Sequence, residues 1–122
     1  LLHQLGSGQV PHLENPDSAH DFVYVGDVAT AFRLAVESTG GPEVADLGSG
    51  HLCRVKKVLQ VATTESGLVA QLAAERFNPP GNGLWANLST ARGMLDWRPR
   101  TGLVEGIRLT RLANLESQIN GI

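Results

Sequence analysis

The 122-residue sequence predicts an α/β fold built from two strand–helix units followed by a smaller lobe. Two observations carry this. Phe22-Val23-Tyr24-Val25 is apolar on both faces, as in a strand covered on both sides, and a helical apolar stripe follows it. A second short strand candidate, 43–47, is followed in the same way by a second helical stripe.

The chain opens on Leu1-Leu2-His3-Gln4-Leu5, which reads as the end of a helix already under way and suggests that the numbering begins inside a larger protein. Gly6-Ser7-Gly8 closes that segment, and residues 9–21 are turn-rich, with Pro11, Asn15, Pro16 and Asp17. After the predicted strand at 22–25, Gly26-Asp27 should start a helix, because Asp27 can accept hydrogen bonds from first-turn amides. Val28, Ala31, Phe32, Ala35 and Val36 form its stripe, and Arg33 and Glu37 pair one turn apart on another face. Gly40-Gly41-Pro42 stops it. The second strand, 43–47, is closed by Gly48-Ser49-Gly50. The second helix spans about 52–65 with Val55, Val58, Leu59 and Ala62 inward, and Gly67 breaks it.

Residues 68–77 are ambiguous, helical by propensity but bounded by glycine and by the irregular loop 78–83. Ser89 is a plausible cap for a short helix to Met94. Pro99 separates it from a last helix, 103 to about 119, with Val104, Ile107, Leu112, Leu115 and Ile119 as its stripe. The expected division is 1–67 and 68–122.

Composition narrows the function classes. With 42% hydrophobic and 18% charged residues the chain is globular rather than disordered. A net charge of −2, with no basic stripe, argues against a nucleic-acid partner. One cysteine, Cys53, rules out an internal disulfide framework and a cysteine-rich zinc site, and makes a reducing cytoplasm the default. No apolar run approaches the roughly 20 residues that span a bilayer, so no membrane is expected. His3, His12, His20 and His51 have no metal-ligand spacing.

Five motifs then bring in a family. Asp21-Phe22-Val23-Tyr24-Val25-Gly26-Asp27-Val28-Ala29 resembles Arg-Asp-Phe/Tyr-aliphatic-Tyr/His-Val-x-Asp-Val-Ala, and Asp46-Leu47-Gly48-Ser49-Gly50 resembles Asn-Leu-Gly-Ser/Thr-Gly. Ala86-Asn87-Leu88-Ser89-Thr90-Ala91-Arg92 is similar to Ala-Asp-x-Ser-Lys-Ala-Arg. Leu95-Asp96-Trp97-Arg98-Pro99-Arg100-Thr101 and 103–110 follow Leu-Gly-Trp-x-Pro-x-Thr and Leu-x-Glu-Gly-Leu-x-x-Thr. In that order and spacing, over about residues 18–112, they resemble the carboxy-terminal portion of the extended short-chain dehydrogenase/reductase family, the NAD-dependent nucleotide-sugar epimerases and dehydratases.

The resemblance implies a Rossmann-type parent in which 1–67 packs on an amino-terminal cofactor domain and 68–122 forms the substrate-binding lobe. It implies NAD or NADP for the parent, a nucleotide-sugar substrate and a possible homodimer. The family's Gly-x-x-Gly-x-x-Gly fingerprint does not occur in this sequence. Nor does its Tyr-x-x-x-Lys pair: Tyr24 is the only tyrosine, with Val28 four residues on, and the lysines are Lys56 and Lys57. No catalytic, cofactor-binding or metal-binding residue is therefore expected here, and the chain alone is expected to be inactive and to hold no cofactor.

Substrate contacts are expected from four positions. His20 stands where many relatives carry a phosphate-binding arginine. Pro79-Pro80-Gly81-Asn82 lies where the family often has Arg-Pro-Gly-Asp, so Asn82 would meet a ribose hydroxyl and Arg76 would replace the lost charge. Trp85 would stack on a base or sugar, whereas Trp97 follows the core pattern. Gly48-Ser49-Gly50 is weak as a phosphate cradle, and Asp21 reads as a loop anchor. Two other readings stay open: a fragment of a related reductase acting on a non-nucleotide substrate, and a non-catalytic remnant or binding module. An exposed apolar patch is expected near 22–25 and along Val28, Phe32 and Val36.

Overall fold

The computed structural model describes residues 7–8, 12–41, 43–65 and 83–121. The readings for 1–5, 68–77 and 78–82, and the break at Gly67, lie outside the described residues. Two short strands, β1 (Ala19–His20) and β2 (Cys53–Arg54), pair antiparallel with Ala19 opposite Arg54 and His20 opposite Cys53. Among the described residues four helices complete the order: α1 (Val25–Glu37), α2 (Val55–Glu65), α3 (Ser89–Leu95) and α4 (Leu103–Ile119). The α/β class holds, and the helices fall close to where the apolar stripes put them.

The strands do not fall where the sequence puts them. Residues 22–24 pair with no other strand among the described residues, and Val25 is already the first residue of α1. The Tyr24 carbonyl accepts from the amides of Asp27 and Val28, which commits the chain to a helical turn. Residues 44–47 do alternate, with Val44 and Asp46 exposed and Ala45 and Leu47 half-buried, but they form no ladder either. An apolar, β-branched run signals burial on a pleated surface, whereas a strand also needs a neighbour to bond with. The two residues of each real strand are too few to show a period in the sequence.

The caps also differ. Tyr24, not Asp27, precedes α1, and no side chain caps that end. Leu88 precedes α3, and Ser89 is its first residue, with its amide donating to Asn87 Oδ1. At the far end of α3, Asp96 takes the left-handed conformation at φ 50°, and the amides of Asp96 and Trp97 both donate to the Ala91 carbonyl. Aspartate tolerates this region better than most residues other than glycine.

Among the described residues two clusters form the core. Leu59, Val61 and Ala62 of α2 meet Ile107 of α4, with Leu13, Val58 and Leu103 packed around them. Ala31 of α1 meets Leu88, Ala91, Leu95 and Trp97, with Val23, Ala45 and Leu47 alongside. Each cluster therefore draws residues from both sides of position 67. Trp97 is only 1% exposed, and its Nε1 donates to the Asp27 carbonyl at 2.8 Å. The Asp27 carboxylate accepts from the amides of Arg100 (3.1 Å) and Thr101 (2.9 Å) and from the Thr101 hydroxyl (3.3 Å). Asp27 thus fixes the corner that launches α4 instead of capping its own helix.

On α1 only Ala31 of the predicted stripe is buried; Phe32 is 66% exposed and Val36 86%. With Val25, seven residues before Phe32 on the same helix, they leave an apolar face open to solvent, in the region where the sequence predicts one. Among the described residues, no helix is long and apolar enough to cross a membrane.

Candidate functional site

Asp21, the residue after β1, carries a carboxylate that gathers donors from two remote parts of the chain. Its Oδ1 accepts from the Ser49 amide at 2.7 Å and the Ser49 hydroxyl at 2.5 Å. Its Oδ2 accepts from the amides of Gly50 and Ala86, both at 3.0 Å. Three segments far apart in sequence meet on one carboxylate. Burial pushes its pKa up, but the Ser49 hydroxyl and the amides of Ala86, Ser49 and Gly50 together push harder the other way. The carboxyl sits below its ordinary value.

This fixes the role of the Gly48-Ser49-Gly50 turn. The amides of Ser49 and Gly50, which a phosphate would need, are turned onto the protein's own carboxylate. Gly48 is buried, and a Cβ there would collide with Asp21 Oδ2 and lie 2.7 Å from the Ala86 Cβ. Gly50, at φ +81°, makes the turn in a conformation that disfavours other residues.

Of the four expected substrate contacts, two can be placed. His20 is exposed in β1, its ring edge-on to Phe22 at 6.0 Å between centroids. Trp85 is 60% exposed in the loop before α3. That loop runs beside β1: a Cβ on Gly83 would lie 3.1 Å from the Ala19 carbonyl, and Ala86 is bonded to Asp21. His20 and Trp85 therefore sit on neighbouring segments although 65 residues separate them in sequence. Arg76 and Asn82 lie outside the described residues.

The sequence does not single out the groove that opens beside this junction. About 670 Å³ in volume, it is walled by Phe22 and Tyr24, by His51 and Cys53, and by Leu103 and Ile107 of α4. The signal was the apolar run 22–25, which a strand assignment directed into a sheet. Burial pushes the Cys53 thiol up, against a smaller pull down from Lys57, so Cys53 stays a neutral thiol at neutral pH. Among the described residues no group of three or more His, Cys, Asp or Glu side chains could hold a metal ion.

No protein-family model matches the chain. Individual proteins do. The dTDP-4-dehydro-6-deoxyglucose reductase of Escherichia coli is 26% identical over 92 residues, which are 75% of this chain and 29% of that protein. The dTDP-6-deoxy-L-talose 4-dehydrogenase (NAD(P)(+)) of Kitasatospora kifunensis is 31% identical over 93 residues, 72% of this chain and 29% of that protein. Among solved structures, UDP-glucose 4-epimerase of Thermotoga maritima with UDP-glucose superposes with a TM-score of 0.77 at 25% identity. The match covers 96% of this chain and 38% of the epimerase. The Bordetella bronchiseptica enzyme WbmF in complex with NADH gives a TM-score of 0.80 at 20% identity, covering 97% of this chain and 36% of that one; it shows the fold alone. The chain thus spans about a third of the length of the proteins it matches.

Proposed function

We propose that this chain, homologous to the NAD-dependent nucleotide-sugar epimerases, dehydratases and reductases of the extended short-chain dehydrogenase/reductase family, is their carboxy-terminal, substrate-binding portion. The observation that carries this reading is the nature of the relatives. They are named for dTDP-, GDP- and UDP-linked sugars, and they match in one stretch of about a hundred residues. A nucleoside diphosphate joined to a hexose is what those substrates share.

In this reading His20 approaches the diphosphate, Trp85 stacks on the base or sugar, Asn82 bonds a ribose hydroxyl and Arg76 supplies positive charge. Histidine is a weaker diphosphate ligand than arginine, having fewer donors and no planar fork. The exposed face of Phe32 and Val36 then lies against an amino-terminal Rossmann domain, which brings NAD or NADP and the groups that transfer hydride and proton. The 122-residue chain alone is inactive, and the assembled enzyme is cytoplasmic and dimeric.

Calorimetry of the chain with UDP, dTDP and GDP and their sugars tests this. Binding of one nucleotide in preference to the others is expected. Binding of none, in a folded sample, overturns the substrate assignment and favours a structural module.

A further inference from the structure

We infer that Asp21 is a positioning residue that sets where Trp85 stands relative to His20, and so shapes the nucleotide site. The identity of the ligand rests on the proposed function; the clamp itself does not.

Asp21 directly follows His20 in the chain, and Ala86 directly follows Trp85. A single hydrogen bond, Ala86 N–H to Asp21 Oδ2 at 3.0 Å, therefore joins the two segments one residue from each expected contact. Asp21 is itself held in place. The Ser49 amide and hydroxyl fix Oδ1, while the Gly50 amide shares Oδ2 with Ala86. The packing is built around this bond. Gly48 leaves no room for a side chain between Asp21 and Ala86, and Gly83 lets the loop run against Ala19 and Leu52. Asp21 accepts from both the 49–50 turn and the 86 loop, so one side chain holds the two together.

All four donors require an acceptor, and a carboxylate supplies two oxygens with enough lone pairs for them. An asparagine in its place would keep one acceptor oxygen and turn an NH₂ toward donors, so Asp21→Asn breaks the junction without changing its volume. Trp85 is the natural reporter, since Trp97 is buried and shielded.

The test uses the 122-residue chain, with Asp21→Asn, Ser49→Ala and Trp85→Phe variants, acrylamide quenching of tryptophan fluorescence, and UDP, dTDP and GDP as probes. Trp85→Phe assigns the Trp85 signal. In Asp21→Asn, Trp85 quenching is expected to rise while the Trp97 signal and the helical circular dichroism stay as in the unsubstituted chain. Affinity for the preferred nucleotide is expected to fall roughly tenfold, because the Trp85 loop must then be ordered on binding. A folded Asp21→Asn chain with unchanged Trp85 quenching overturns the inference. Should Asp21→Asn not fold, Ser49→Ala decides: it removes one of the four bonds, and a smaller rise in Trp85 quenching supports the clamp while no rise overturns it. If the unsubstituted chain binds no nucleotide, the functional reading fails, and the Trp85 signal still judges the clamp by itself.

Discussion

Asp21 and Asp27 sit six residues apart and use the same chemistry for different joins. Each carboxylate collects donors from segments remote in sequence, Asp21 from 49–50 and 86, Asp27 from 100–101. For Asp21 the folded pKa lies below the ordinary value of about 3.9. Its contribution to stability is therefore fully present above that ordinary value and disappears as the pH falls through the lower folded value. Thermal melts of the unsubstituted chain and of Asp21→Asn should differ by a constant amount above about pH 5 and converge below about pH 4. A gap that stays constant down to about pH 2 contradicts this. The sequence identified Asp21 as an anchor, but its partners could not be read there, because they lie 28 to 65 residues away and are mostly main-chain amides.

At the scale of elements, the helices form where the 3.6-residue period puts them, and α4 runs over the predicted span. What joins α1 to α3 is the Trp97 corner. Trp97 follows α3, is buried against Ala31 of α1, and bonds the Asp27 carbonyl just before α4 begins. Trp97→Ala removes the largest fully buried side chain among the described residues, and should cost about 3–5 kcal/mol, read as a lower urea midpoint at unchanged m-value. A loss under about 1 kcal/mol would mean that the corner is not the joint between these helices. Strands fared differently. The run 22–25 has the composition of a strand, yet its carbonyls and amides find no ladder among the described residues, and its last residue enters α1.

For the molecule as a whole, the open apolar face is the feature that a self-contained domain would bury. Phe32 and Val36 occupy the same side of α1, one turn apart, and both are mostly exposed. A solvatochromic dye should bind the chain. The double substitution Phe32→Gln with Val36→Gln should remove most of that binding while shifting stability by no more than about 0.5 kcal/mol per site, as surface changes do. Stability falling by several kcal/mol would show instead that the face is packed in solution. The same face is where the proposed cofactor domain would rest, and the matched stretch is only about a third of each relative's length.

The sequence by itself determined the α/β class, the four helices, the buried Trp97 and the apolar face left open. Each follows from local periodicity or from short motifs in a fixed order, which chain neighbours impose on one another. Only the tertiary structure decided which segments pair as strands, that Asp27 serves the start of α4, and that Asp21 fills the 49–50 turn in place of a phosphate. It also set His20 beside the Trp85 loop and opened the groove walled by Phe22, Tyr24 and Ile107. Those are contacts between residues tens of positions apart, and hydrogen bonds to main-chain amides leave no mark on the identity of the residue that donates them.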